Sequence, residues 1–296
     1  MIEEIEIISE ERFWRCCFTA MASPCEVLFE SDDEDEIKVL AKIAYDEAKR
    51  IEQKFSRYRD DNLVFQINHA NGEIIKVDDE TARMLDYANQ LYQLSDGLFD
   101  ITSGILRRVW RFDGSDNIPS SQAVTEILPL IGWHKIKWEN PYITLPEGME
   151  IDFGGIGKEY AVDRTVQLIR AKSTQNFLVN YGGDLHASGP RKDGSGWAVG
   201  LDDPAHTGKN ALANLELKRG AVATSGDARR FLLCDGVRYS HILDPRTGWP
   251  VTKAPHGITV IATTCTEAGM LATFAMLQGR EANSFLEQQK VEFWCY

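Results

Sequence analysis

Apolar residues recur every three or four positions through Ile37, Leu40, Ala44, Ala48, Ile51 and Phe55. That is the period of one buried helix face, so the spacing predicts a helix from the acidic cluster Asp32 to Glu36 down to about Phe55. Ser56, Arg57 and Tyr58 stand at its exit. A second helix is expected from Glu80 to about Leu94, with Met84, Ala88 and Leu91 inward and Gly97 as a stop just beyond. Upstream, FTAMASPCEVLFE (18–30) alternates apolar and polar positions and reads as one strand. Residues 113–146 are rich in Pro, Ser, Asn and Trp and read as an irregular crossing with one short helical stretch near Thr125 to Leu128. IDF then predicts a strand, GGIG a glycine turn, and KEYAVDRTVQLIRAK a helix with Tyr160, Ala161, Val166 and Ile169 on its apolar side. A strand, FLVN, and another glycine turn, YGGD, follow. Between 197 and 264 the runs WAVGL, LANLELK, AVATS, RRFLLC, VRYSHIL and GITVIATT are short, alternating and separated by turn residues, as in antiparallel sheet. A last long helix is expected over Thr266 to Leu277 with Gly279 as its stop, then a short helix and the strand VEFWC. The architecture this implies is α+β, with helices packed on mainly antiparallel sheet.

The chain has 296 residues, 43% of them hydrophobic and 26% charged, proportions that exclude wholesale disorder and a membrane bundle. Lys plus Arg is 32 against 45 for Asp plus Glu, a net charge of −13. A broad nucleic-acid or anionic-membrane footprint is therefore excluded, and an anionic ligand needs local help from a bound cation, a helix N-terminus or a few placed Lys and Arg. Six cysteines (Cys16, Cys17, Cys25, Cys234, Cys265 and Cys295) contain no CxxC pair, so reduced thiols are expected. The N-terminal stretch MIEEIEIISEERFWRCCF is acidic and broken by charges, unlike a signal peptide, which points to the cytoplasm. No apolar run approaches the roughly 20 residues that span a bilayer.

Three glycine turns stand out: SDGLFD (95–100), DFGGIGKEYA (152–161) and NYGGDLHASG (180–189). Glycine lets backbone approach a ligand closely, and the second turn opens a helix whose amides and dipole suit a phosphate. Glycine pairs also serve plain tight turns, and the segment is neither a GxGxxG nor a Walker A sequence. His241, in RYSHILDPRTGWPV, stands at the end of a strand, where an imidazole near its ordinary pKa of about 6.5 can act as a general base or sit as a structural residue. His134, His186, His206 and His256 lack metal-ligand spacing. Ser225 in TSGDARRF is not in a GxSxG context. Asp152, Asp163 and Asp184 can pair as acid and base or cap backbone amides at the glycine turns.

Taken in order, AMASPCEV, FSRYRDDNLVFQIN, SDGLFDITSGILRRVWRF, DFGGIGKEYAVDR, FLVNYGGDLHASG, GWAVGLDDP, VATSGDARRF, RYSHILDPRTGWPV and TCTEAGMLATFAMLQG, from about 18 to 279, resemble the ApbE family of flavin transferases. The resemblance covers nearly the whole chain and implies one two-lobed α+β unit with an FAD cleft between the lobes. It implies that FMN moves from FAD to a Thr or Ser hydroxyl of an acceptor protein with release of AMP. By the same resemblance Met21, Tyr58, Leu98, Phe99, Asp100, Gly154, Tyr160 and Ile242 line the cleft, Tyr58 as an aromatic wall and Asp100 toward adenine or ribose. Lys158 then assists at the pyrophosphate, and His241 is the base, with Asp244 or a nearby carboxylate orienting it. An FAD binder without transfer and a metal-dependent FAD pyrophosphatase are the alternatives.

The family pattern also implies Mg²⁺, held by an Asp and a Thr four apart on the last helix and by a backbone carbonyl of the DxGGxxK turn. Here Thr273 matches the Thr and Gly157 the carbonyl, but Gly269 stands at the Asp position. Glu267 is no replacement: two residues earlier is roughly 200° around the helix. Because Mg²⁺ favours carboxylate and phosphate oxygens, either other groups hold the metal or turnover has been lost.

Overall fold

The computed structural model describes residues 4–202, 211–227 and 230–296. His206, the end of GWAVGLDDP and the Ala228–Arg229 pair lie outside the described residues. The first half contains β1 (Glu6–Ser9), β2 (Trp14–Ala20), β3 (Ser23–Phe29), α1 (Glu34–Phe55), α2 (Leu63–Asn68), β4 (Ile75–Lys76) and α3 (Asp79–Leu94). Then come α4 (Ser121–Ile127), β5 (Lys137–Glu139), β6 (Tyr142–Thr144), α5 (Gly157–Arg170), β7 (Phe177–Tyr181) and β8 (Asp184–Ala187). The remainder is β9 (Trp197–Asp202), β10 (Ala211–Leu217), β11 (Gly220–Gly226), β12 (Phe231–Cys234), β13 (Val237–Ser240), β14 (Gly257–Ala262), α6 (Cys265–Leu277), α7 (Ala282–Gln289) and β15 (Glu292–Cys295).

The main sheet has the order β1-β2-β3-β7-β8-β11-β14-β15, every neighbour antiparallel. Strand alternation sends successive side chains to opposite faces. Phe177, Val179 and Tyr181 of β7, with Ala221 and Ala223 of β11, face a core shared with α1 and α5. Leu178 and Val222 face the other way, where Trp197, Val199 and Leu217 of the β9–β10 hairpin cover them. Helices α1, α5 and α6 lie side by side, α1 on β2 and β3, α5 on β7 and β8, and α6 on β11 and β14.

Local chemistry sets these helices. Asp33 caps α1 by accepting the amides of Asp35 and Glu36, and the acidic first turn suits the positive end of the dipole. Ile37, Leu40, Ala44, Ala48, Ile51 and Phe55 are all buried, as their spacing requires. Thr264 caps α6 in the same way, its hydroxyl accepting the amide of Glu267. A further cluster, Ile105, Leu106, Trp110, Ile131 and Leu232, packs with Phe112, Tyr239 and Trp249 and carries the β12–β13 hairpin that ends next to His241.

Three sequence expectations give way. The run 18–30 is a hairpin, not one strand, because Met21 and Ala22 take φ of 52° and 53° and fold β3 back on β2. Such a turn is ordinarily marked by Asn-Gly or Asp-Gly. Here Glu52 holds it instead, accepting the Met21 amide at 2.9 Å. IDF forms no strand: the Asp152 amide donates to the Ile101 carbonyl at 2.8 Å, tying the segment to the 95–104 loop. Within the stretch read as irregular, β5 and β6 pair and β4 joins them, strands too short to show an alternation. No helix among the described residues is long and apolar enough to cross a membrane. All six cysteines are free thiols.

Candidate active site

At the exit of α1 the chain presents Tyr58, 80% exposed and so hardly packed on its own protein. Its neighbour Arg57 holds it: the guanidinium lies 4.9 Å from the ring centroid, and Nη2 donates to the Tyr58 hydroxyl at 2.9 Å. Arg57 is in turn paired with Asp152 and donates to the Gly104 carbonyl at 3.3 Å. Gly104 is required here, since a Cβ on it would stand 2.6 Å from Asp152 Cβ. The other oxygen of Asp152 accepts the Gly154 amide at 2.9 Å, so one carboxylate links the aromatic platform to the glycine turn. Arg57→Ala is expected to free the Tyr58 ring and weaken FAD binding by about tenfold, near 1.4 kcal/mol. A fluorescence titration with FAD checks this; unchanged affinity would remove Tyr58 as the aromatic wall that the resemblance implies.

The 95–100 loop turns inward. Asp100 is buried, with Oδ1 accepting from the amide and hydroxyl of Thr102 and Oδ2 from the Trp133 amide at 2.9 Å. Its carboxylate is therefore committed to the loop, which leaves backbone as the loop's offering to a ligand. Phe99 is buried against Phe274 of α6, and a Cβ on Gly155 would come within 3.3 Å of its ring. Leu98 is partly buried beside the same core. Gly154 is exposed at the mouth of the turn, and no side chain caps α5. The Gly157 amide is taken by the Phe153 carbonyl at 2.8 Å, so the amides of Lys158 and Glu159 are what the first turn offers to an anion. Tyr160 donates its hydroxyl to Glu80 Oε1 at 2.8 Å, and Glu80 also receives Arg50 and Lys54. Those pairs outweigh burial and hold the Glu80 carboxyl well below the usual range. This half-buried network fixes α3 against α1 and α5, and charge pattern alone does not reveal it.

Behind the glycine turn lie the charged groups of α5. Lys158 pairs with buried Asp184 at the start of β8. Burial alone would lower its ammonium, but Asp184 and Glu159 prevail and hold it up. Asp163 accepts the amides of Cys265 and Thr266 at 2.8 and 2.9 Å and the Thr266 hydroxyl at 2.8 Å, pinning the N-terminus of α6 to α5. Each of the three aspartates weighed as acid or base thus has a fixed partner. Glu159 does not: its Oε2 is sealed from solvent and unpartnered. Burial, then the charge of Asp184, pushes this carboxyl far above the usual range. Opposite it is Gly269, where a Cβ would stand 2.7 Å from both Cγ and Oε1 of Glu159. Thr273 follows one turn later, half-buried on nearly the same helix face. Gly157 opens α5 with open space where a Cβ would be. Glu267 is exposed and reaches back to the Thr263 amide.

His241 follows directly on β13. Its Nδ1 faces the Arg230 carbonyl at 3.1 Å, not Asp244, which is bound to Arg246 at 2.7 Å and to its own turn. The carbonyl therefore orients the ring, in place of the carboxylate expected from sequence. A carbonyl only accepts, so Nδ1 carries the hydrogen and Nε2 is left as the basic nitrogen. Burial is the main cause that lowers the imidazole below its ordinary pKa, so the ring is neutral near pH 7. Ile242, next in the chain, is partly buried against the main core.

Residues 21–295 match the model of the ApbE family. This chain belongs to the ApbE family. Among its relatives are the FAD:protein FMN transferase of Vibrio cholerae, 29% identical with 79% of this chain and 71% of the relative covered, and that of Klebsiella pneumoniae, 28% identical with 93% and 85% covered. The crystal structure of the ApbE protein from Thermotoga maritima superposes with a TM-score of 0.86 at 31% identity, covering 96% of this chain and 94% of that one. The Pseudomonas stutzeri flavinyl transferase ApbE gives 0.84 at 26% identity, covering 100% and 92%. The ApbE match spans the platform, the glycine turn, α6 and the His241 turn in one alignment.

Proposed function

We propose that this ApbE-family enzyme moves FMN from FAD onto a Thr or Ser hydroxyl of an acceptor protein and releases AMP. The observation that carries the reading is His241, held by the Arg230 carbonyl so that a neutral ring offers Nε2. The acceptor oxygen attacks the FMN-side phosphorus of the pyrophosphate as Nε2 takes its proton. The bond from that phosphorus to the bridging oxygen breaks, and the bridging oxygen leaves on AMP. Tyr58 offers a face for a flat ring, and the open first turn of α5 offers amides to the phosphates. Lys158 is already paired with Asp184, so it adds little net charge to the phosphates.

Lys158 being paired, a cation is the remaining source of positive charge for a pyrophosphate beside the α5 amides, and a divalent ion such as Mg²⁺ would neutralise charge on the phosphate oxygens. The residues fit one: the Thr273 hydroxyl and the Gly157 carbonyl are hard oxygen donors, and Glu159 Oε2 has no hydrogen-bond partner and would serve a cation as a carboxylate oxygen once its proton is released.

The test is AMP release from FAD, supplied with Mg²⁺, with and without a Thr-containing acceptor peptide. AMP and peptide-bound flavin are expected together and only with the peptide. AMP without acceptor would mark a pyrophosphatase, and FAD that stays bound and whole would mark a binder; either result overturns the reading.

A further inference from the structure

We propose that Glu159 of α5 is the carboxylate ligand of the cation site, taking the place that Gly269 leaves open on α6. The inference builds on the transferase reading but concerns metal binding alone. Three observations carry it.

The first is the orphaned oxygen. Taking a carboxylate out of water without a partner costs several kcal/mol. The neighbouring acids are compensated: Asp184 has Lys158, and Asp163 has the amides of Cys265 and Thr266. Glu159 Oε2 is sealed and has no hydrogen-bond partner. A bound cation is the compensation its chemistry calls for.

The second is exclusion. A Cβ at position 269 would come 2.7 Å from Glu159 Cγ and Oε1, closer than such atoms approach. An aspartate there requires the Glu159 side chain to leave the position it holds. Gly269 is buried mid-helix, where glycine costs about 1 kcal/mol against alanine, so it is not there for helix stability. It is there because the Glu159 side chain fills the groove from the other helix.

The third is register. Asp163 lies one turn beyond Glu159 on α5 and grips the first residues of α6, one turn before Gly269. That contact fixes the sliding of one helix along the other. It sets Glu159 against Gly269, with Thr273 one turn further and Gly157 two residues before Glu159. On this register the Glu159 carboxylate, the Thr273 hydroxyl and the Gly157 carbonyl make up an all-oxygen set suited to Mg²⁺ or Mn²⁺, with phosphate and water completing the shell.

The experiment is a Mn²⁺ titration of the full chain, followed by the electron paramagnetic resonance of free Mn²⁺, with and without FAD. Glu159→Gln keeps the shape and removes the charge, and its thermal unfolding without metal checks that it folds. It is expected to bind Mn²⁺ at least tenfold more weakly than the native chain. Gly269→Asp alone is expected to bind no better than native, because the two side chains collide. The exchange variant Glu159→Gly with Gly269→Asp is expected to recover binding to within a few-fold of native. Equal Mn²⁺ affinity in native and Glu159→Gln would overturn the proposal, as would a native chain that binds no Mn²⁺, or an exchange variant no better than Glu159→Gln. AMP release, measured separately, tells failure of this assignment from failure of the transferase reading.

Discussion

Replacing His241 with alanine is expected to slow acceptor-dependent flavin transfer by about 10²–10⁴-fold, the usual worth of a positioned base. FAD affinity should change little, because the ring takes a proton and supplies no ligand surface. Its tautomer is set by the Arg230 carbonyl, which only accepts, so the lone pair sits on Nε2. The acid limb of kcat/KM is a second readout. Burial is the largest cause acting on the imidazole and holds its pKa below the ordinary 6.5. The active neutral form therefore persists to lower pH, and activity should fall only through a midpoint below 6.5. The same shift affects folding. Between the lowered folded value and 6.5 the unfolded chain binds more protons, so this group's contribution to stability is lost as pH falls through that window. A drop smaller than tenfold in His241→Ala, or an acid limb at or above 6.5 that the variant retains, would remove His241 as the base.

The second large effect is expected at Asp163. Its carboxylate accepts two backbone amides and one hydroxyl at the start of α6 and is mostly buried. Asp163→Ala leaves those donors unmet in a dry interface, at a cost of about 3 kcal/mol. Asp163→Asn keeps one accepting oxygen and should cost about half as much. Urea unfolding at neutral pH measures both, as a shift in midpoint at unchanged slope. Burial would raise this carboxyl, but His186, 3.5 Å away, and the bonds from the Thr266 and Cys265 groups prevail and hold it below 3.8. Its stabilisation is thus complete above the unfolded value and is lost as pH falls through the folded one. If Asp163 fixes the register of α6 against α5, the alanine variant should also lose Mn²⁺ affinity while the Arg57→Ala variant keeps it. An Asp163→Ala protein as stable as native would mean that packing alone seats α6.

Much of the fold was legible because each long helix carries its own face. The stripe from Ile37 to Phe55 is buried as spaced, and the six β-runs between 197 and 264 each correspond to a strand. The hairpin at Met21–Ala22 was not legible, because its left-handed residues are held by Glu52 from a distant helix and carry no turn signature. The loop around Asp100 suggests a ligand group, yet its carboxylate is spent on Thr102 and Trp133, the latter 33 residues away. Asp244 was expected to orient His241 because it is close in sequence, whereas the orienting group is a carbonyl eleven residues upstream.

By itself the sequence determined the α+β class, the ApbE kinship and the residue types at the His241 turn, the glycine turn and α6, since all of these reside in local periodicity and ordered motifs. It also showed that Gly269 lacks a carboxylate. Only the tertiary structure decided what stands in that space, because Glu159 and Gly269 are 110 positions apart and meet solely through the packing of α5 on α6. A motif records which residues a chain has; the partner a buried charge finds depends on which helices are brought side by side.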